Sequence, residues 1–539
     1  MKNLIVLFAC VLMAVSVQAQ SRIAKRHVKE GTLSLRMGNY TGSISSFTKA
    51  IEASDSYQEA YNLRAIVYIR TFRFVDAVTD LDKAIALNPN DATAYFYRGV
   101  AQTHLRRDSV AIQDFTKAIQ TKPDYHEAYF QRGLVAYRMK NYGQAASDFR
   151  FSNLLHPMDS TLTELARAEY SDGQYEEATV HLDQALLRNP QNPELFYLRG
   201  HTNYSMGRYE SALKDFNQSI VLNGNGESYA GRAWVYYAKE NYPQALKDAD
   251  SAIHIMPNNP AGYTARGMIK SRQKDLRGGM VDFNTAIGLD SAYSMAYAGR
   301  GFAYAELSMD SLSMEELDRA LALDERNSFA LAMRGKTRAR TNEPAKAMLD
   351  LDAAIRLNPQ LSEAYAWRGG LKSKMRNYFD ALKDLDHAIR LSPGLPESYF
   401  LRGNTYVQLS MLPDAVMDYT QAIRLDSSAA AYFRARGMAY VMLDRKPEAL
   451  YDLTRAILLD RMDAPTWNAR GNIYRDLGRR EEAIIDYSQA IQLDPKFADA
   501  YYNRGLLYHR MSSYKKATDD LNAAKRLDPM NKLYGVEPK

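Results

Sequence analysis

The stretch Trp467–Pro495, WNARGNIYRDLGRREEAIIDYSQAIQLDP, reads as two short amphipathic helices joined by a turn at Gly478. One residue sits oddly in it. A helical reading turns Arg470 inward, between Trp467 and Tyr474, on the face that should be apolar. The arginine and the glycine after it recur: YRG, QRG, LRG, ARG, GRG, MRG and WRG all occur upstream. A chain that turns an arginine inward once has a local reason; one that does so throughout has an architectural one.

Aligning on these steps puts Arg64, Arg98, Arg132, Leu165, Arg199, Arg232, Arg266, Arg300, Arg334, Arg368, Arg402, Arg436, Arg470 and Arg504 in one column. Glu30 precedes them at the same spacing. Twelve of the fourteen steps are 34 residues and two are 33, so the chain is fifteen copies of one unit, not several unrelated domains. The copies are numbered here from repeat 1 (Glu30) to repeat 15 (Arg504). Three residues before the arginine stands a ring or Leu, as at Tyr61, Tyr95, Leu331 and Trp467, and the next residue after it is always Gly or Ala. Thirteen and twenty residues on come small residues, as at Ala77, Ala84, Ala483 and Ala490, where two helix backbones must approach. Pro89, Pro359 and Pro495 close second helices, because proline cannot continue one.

This pattern resembles the tetratricopeptide repeat family from about Lys25 to Pro529. The resemblance implies an all-α fold: an α-solenoid of about fifteen 34-residue helix–turn–helix repeats wound into a right-handed superhelix. First helices would line a concave surface and second helices the convex one. The expected organisation is a signal peptide over 1–19, the repeat array over 20–529 and a short tail over 530–539.

Sixteen residues after each arginine stands an acid, from Asp80 and Asp114 through Glu316 to Asp486 and Asp520. Two repeats lack the arginine, and there the acid is replaced as well: Ser46 answers Glu30, and His181 answers Leu165. The joint exceptions predict a partly buried ion pair between the two helices of each repeat. The arginines are then structural, already neutralised, and not a ladder for an anionic polymer. Around repeats 4 and 5, Ser152, Asn153, Leu165 and His181 depart from their columns, which suggests either a softer joint near 151–165 or drift of one repeat. Repeat 15 carries Thr518 and Lys525 where other repeats are aliphatic, as a terminal cap requires.

The N-terminus, MKNLIVLFACVLMAVSVQAQ, has a charged start at Lys2, an apolar run over Leu4–Val17 and a small-residue end at Ala19, the form of a cleaved signal peptide. Export to the periplasm or the outer membrane of a bacterium is the expectation. Cys10, the sole cysteine, partly resembles a lipoprotein anchor site, but Phe8 and the apolar run beyond it weigh against that reading. Cleavage leaves no cysteine, so disulfides and thiol chemistry drop out. The net charge of +6 is spread along the chain with both signs interleaved, which gives no nucleic-acid footprint. No later run is long and apolar enough to predict a transmembrane span in the mature chain.

No catalytic or cofactor constellation is legible. HEAYF at His126 lacks the second histidine of a zinc site, and GNGES at Gly224 lacks the strand and third glycine of a dinucleotide loop. The expectation is a non-enzymatic scaffold that binds peptides or partner proteins in the concave groove. Glycan binding, for example to peptidoglycan, is the alternative. By the resemblance, positions two before, two after and five after the arginine line that groove. In repeats 3 to 7 they hold Phe96, Phe130, Tyr137, Tyr170, Tyr197, His201, Tyr204, Trp234 and Tyr237, which are either a partner-binding stripe or packing between repeats. In repeats 8 to 11 they turn small: Thr264, Ser271, Ala298, Ala305, Ala332, Ala339, Ala366 and Gly370. A polar group follows in repeats 12 to 14, Asn404, Arg434, Asn468, Asn472 and Arg475, a second partner-binding candidate. It loosely resembles the carboxylate clamps of chaperone-binding family members.

Overall fold

The computed structural model describes residues 20–531. The expected signal peptide, Cys10 and nearly all of the expected tail lie outside them. Within the described residues every regular element is a helix, and helices alternate along the whole length in pairs. After a first helix over 20–36 comes Tyr40–Ala53; repeat 14 is Ala464–Asp476 followed by Arg480–Leu493, and repeat 15 is Ala498–Arg510 followed by Tyr514–Leu527. First helices after repeat 1 run 13 or 14 residues and second helices 14. Such helices are too short to stand alone in water and are stable because each buries a face on its neighbours.

Why the pairs form is visible at their ends. Several helices start on an Asn or Asp whose side chain accepts from the first backbone N–H groups, as Asp91 does from Thr93 and Ala94. The turn between the two helices of a repeat always contains one left-handed residue. Only four of these are glycines, Gly38, Gly173, Gly207 and Gly478; the other eleven are ordinary residues such as Phe72 (φ 60°) and Ser308 (φ 58°). Each of those costs about 1–2 kcal/mol against its preferred conformation, which the packing on either side of the turn offsets.

The core is built from the columns read in the sequence. Ala77, Ala84, Ala483 and Ala490 are fully buried. Where the residue after the arginine is glycine, it has a steric reason. A Cβ on Gly471 would stand 2.8 Å from Cε1 of Tyr487, and one on Gly99 would stand 2.7 Å from Cε1 of Phe115. Tyr487 and Phe115 are themselves 0% exposed. The glycine is the floor on which the large residue of the second helix lies.

Residues up to Gly231 and residues from Arg232 onward form two compact units. The region 151–165 lies inside the first. Within each unit first helices touch the first helices of the next repeat, whereas second helices meet first helices only. The stack therefore bends toward the first helices, which occupy the inner side. In repeats 8 to 11 the small residues Thr264, Ser271, Ala298, Ala305, Ala332 and Ala366 are all at most 2% exposed. They let neighbouring first helices close on one another, and one continuous apolar cluster runs from Met268 to Leu371. Elsewhere each repeat has a smaller cluster of its own, as around Phe149 or Leu453.

Candidate functional site

Arg470 shows what the inward arginine does. Its Nε donates to one carboxylate oxygen of Asp486 and its Nη2 to the other, both at 2.8 Å. Its third nitrogen, Nη1, donates to Oγ1 of Thr454 on the second helix of the preceding repeat, at 3.3 Å. The guanidinium lies 5.0 Å from the Trp467 ring centre and 5.5 Å from that of Tyr474, a cation held between two π faces. The predicted pair is present in all thirteen arginine-bearing repeats, from Arg64–Asp80 to Arg504–Asp520.

The contact to the preceding repeat is general and was not read from the sequence. Arg98 reaches Asp82, Arg266 reaches Asp250 and Arg368 reaches Asp352. One side chain thus ties three helices. The signal was present in the sequence, in the Asp, Asn, Thr and Ser that stand sixteen residues before the arginine, but it needed the neighbouring repeat to give it meaning. Burial pushes the Asp114 and Asp486 carboxyls up, against the pull of Arg98 and Arg470. That is the mark of a pair that costs desolvation and contributes register more than net stability.

Repeat 5 keeps the device with its charges exchanged. Leu165 is buried, and one turn later Glu169, 0% exposed, receives Arg150 from the preceding second helix and His181 from its own, both at 2.7 Å. The acid now sits on the first helix and the bases on the second. The irregular columns near 151–165 therefore carry an inverted tie in place of the usual one.

The nine candidate rings divide. Phe96 belongs to the core, 9% exposed and packed on Phe115 and Tyr125; its column faces a neighbouring repeat there, so it offers almost no surface. Phe130 leans on Phe149. Tyr137 and Tyr170 are half-buried and each caps the second helix of its repeat through Tyr142 and Tyr175, with ring centres 5.2 and 5.6 Å apart. The Tyr137 hydroxyl is hydrogen-bonded to that of Ser171 one repeat on, at 3.0 Å. Tyr204 repeats the arrangement with Tyr209. His201 lies between Tyr197 and Phe216, and burial pulls its pKa down to about 4, so it is neutral at pH 7. In the second unit Trp234 and Tyr237 pack edge to face, 5.5 Å apart, against the large apolar cluster. All but Phe96 are partly exposed.

The polar candidates are mostly engaged with each other. Arg434 pairs with Asp463 at 2.6 Å, Asn468 is buried and accepts from Asn503, and Arg475 holds Asp476 and Asn472. Asn404 stands apart. Its Oδ1 accepts from the Tyr419 hydroxyl at 2.8 Å, and the residue lines a cleft of about 330 Å³ on the inner side of repeats 11 and 12. Gly370, Ser373, Lys374, Leu401 and Gln408 line it too, with Arg376 and Tyr378 at the adjoining turn. Lys374 and Arg376 are exposed and, among the described residues, form no ion pair, while the inward arginines of these two repeats, Arg368 and Arg402, are neutralised. Among the described residues, no cluster of metal-ligating side chains is found, and no helix is long and apolar enough to cross a membrane.

Family models described as TPR repeat match residues 166–207 and 471–512, and those described as tetratricopeptide repeat match 73–126, 197–260, 400–465 and 498–531. The chain belongs to the tetratricopeptide repeat family. The array is similar to a chain in the crystal structure of the APC/C hetero-tetramer Cut9–Hcn1, with a TM-score of 0.64 over 92% of this chain and 98% of that one. At 14% identity this shows the shared fold alone. In sequence the repeats are similar to the Hsp70-Hsp90 organizing protein of Triticum aestivum, 27% identical over 135 residues, which are 25% of this chain and 22% of that protein. They are similar as well to the small glutamine-rich tetratricopeptide repeat-containing protein 2 of Saccharomyces cerevisiae, 29% identical over 24% of this chain and 36% of that protein. A third relative is the bacteriophage adsorption protein A of Escherichia coli (strain K12), 31% identical over 16% of this chain and 9% of that protein. The matches thus span about a third or less of these curated relatives.

Proposed function

We propose that this repeat protein is an exported, non-enzymatic scaffold that holds an acidic, extended segment of a partner protein on the inner side of repeats 11 and 12. The observation that carries the reading is the cleft beside Asn404. Two cations without ion-pair partners, Lys374 and Arg376, flank it, and the Asn404 and Gln408 amides and the Ser373 hydroxyl supply neutral hydrogen-bonding groups. Gly370 and Leu401 give the cleft an apolar part, the mix of apolar wall and few polar groups expected of a recognition site. A carboxylate from a partner there would find uncompensated positive charge, which speeds encounter and selects against basic segments. The family's relatives named as organizing proteins of Hsp70 and Hsp90 support a protein partner in kind. The exported setting rests on the Leu4–Val17 run and the Ala19 end.

The test is capture from envelope extract by the mature chain, with two variants beside it. Lys374→Glu/Arg376→Glu reverses the cleft, and Tyr137→Ala/Tyr170→Ala/Tyr204→Ala strips the ring edges. A protein retained by the parent and the ring variant, but lost from the charge-reversed one, supports the reading. Retention lost only from the ring variant moves the site to repeats 4 to 6. Retention of insoluble wall glycan, unaffected by either variant, overturns the scaffold.

A further inference from the structure

The inner side of repeats 7 to 12 is filled by the chain's own side chains in a way the repeat pattern does not require. Arg272, the last residue of the Pro260–Arg272 helix, donates from Nε to the Tyr237 hydroxyl at 2.7 Å and from Nη2 to Glu363 on the Ser362–Lys374 helix, three repeats further on. Its guanidinium also lies 5.3 Å from the Phe302 ring centre. Lys336 sits between Glu306 and Glu397, at 3.3 and 3.4 Å, and 4.8 Å from the ring centre of Trp367. The Trp367 indole N–H donates to the same Glu397 at 3.1 Å. Two contacts along the rim span more of the chain still: the Ser392 hydroxyl donates to Glu240 at 2.9 Å, and Lys274 lies 3.8 Å from Asp426.

Four of these contacts, Lys336–Glu397, Arg272–Glu363, Ser392–Glu240 and Lys274–Asp426, join residues 61 to 152 positions apart, two or more repeats away from each other. They are also well compensated. Glu363 and Glu397 lie in the first turns of their helices and Arg272 in the last turn of its own, where each charge complements the helix dipole. Burial pushes the Glu397 carboxyl up, but Lys336 and the Trp367 N–H outweigh it and hold it below the usual carboxylate range. Burial likewise pulls Lys336 and Arg272 down, and their carboxylate and phenol partners more than reverse it. Phe302 and Trp367 are 3% and 6% exposed beneath this layer.

We propose that the inner face of repeats 8 to 11 is a self-occupied groove, closed by an ion-pair latch of Arg272 with Glu363 and Lys336 with Glu306 and Glu397. Opening it uncovers Tyr237, Phe302 and Trp367, on the first helices of repeats 7, 9 and 11. In the closed state the chain's own cations stand over those rings, an internal contact that withholds the surface from a partner. The small residues of repeats 8 to 11 are what bring the first helices close enough for pairs to reach across. The latch is independent of the cleft beside Asn404: that site can fail its test with the latch intact, and the reverse.

The experiment uses the full mature chain with Trp234→Phe and Trp467→Phe, leaving Trp367 as the sole tryptophan. Acrylamide quenching reads its accessibility, small-angle scattering reads the overall opening, and circular dichroism checks helix content. Arg272→Met leaves Glu363 enclosed without its cation, and quenching is expected to rise about threefold as the face opens to rehydrate it. Glu363→Gln, which removes only the charge, is expected to move it the same way by less. Arg272→Met/Glu363→Leu removes both charges and is expected to return quenching to the parent value. Should either single variant stay as protected as the parent, apolar packing closes the groove and the latch is wrong. The same follows if the double variant is as open as Arg272→Met.

Discussion

The inward arginine gives the sharpest prediction. In Arg470→Leu, Asp486 keeps its place on the second helix of repeat 14, 2% exposed at its side chain, and loses both hydrogen bonds that satisfied its oxygens. An isolated enclosed carboxylate of this kind costs about 3–5 kcal/mol. The contact to Thr454 on the preceding repeat is lost with it. Stability in such an array is close to a sum of local terms and nearest-neighbour interfaces, so the loss falls on repeats 14 and 15 before the rest. Trp467, with its ring centre 5.0 Å from the guanidinium carbon, is a local probe of that loss. Urea unfolding followed by fluorescence in a Trp234→Phe/Trp367→Phe background should show the C-terminal repeats melting early, displaced by that amount. Arg470→Leu/Asp486→Leu removes the pair without leaving a charge behind, and should recover all but about 1 kcal/mol, because an apolar replacement of a buried pair is often near neutral. The reasoning is refuted if the single variant costs under about 1 kcal/mol, as a surface pair would. It is refuted equally if the double variant is as unstable as the single one.

Three further outcomes follow from particular residues. Gly471→Ala places a Cβ 2.8 Å from Cε1 of the fully buried Tyr487, and thermal denaturation should show a loss of about 1–3 kcal/mol with no compensating gain in helix propensity. Phe72→Gly relieves a bulky residue held at φ 60° and 80% exposed, and should raise stability by about 1 kcal/mol in the same measurement. His201 has a folded pKa of about 4, below its unfolded value, so the unfolded chain binds the extra proton. Its penalty is absent above about pH 6.5 and grows as pH falls toward 4, by up to about 3 kcal/mol; His201→Gln should flatten the stability–pH curve of the first unit across that window.

The ring columns show where reading by pattern stops. Phe96, Tyr137, Tyr170 and Tyr204 stand at positions that face the inner side in the repeat register, and their chemistry suits a binding stripe. In the structure Phe96, Tyr137 and Tyr170 bridge one repeat to the next and Tyr204 packs on Tyr209 of its own repeat, because a half-exposed position in an array has another helix on one side of it. The change from rings to small residues at repeat 8 was legible as a contrast. Its meaning was not, since alanines alone do not say whether they open a groove or let helices close. The 0% exposure of Ala298, Ala332 and Ala366 decides for closure.

The sequence by itself determined the number of repeats, their phase, the two helices in each, the arginine–acid pair and the polar final repeat. All of these are encoded within one period, in residues at most a repeat apart, where backbone geometry fixes which side chains meet. Tertiary structure decided three things. The arginine's third nitrogen ties the preceding repeat; repeat 5 exchanges its charges through Glu169; and Arg272, Glu363, Lys336 and Glu397 meet across 61 and 91 residues of chain. The small twist from each repeat to the next sets those last meetings. Summed over several repeats it brings distant side chains together, and no single period of the sequence records that sum.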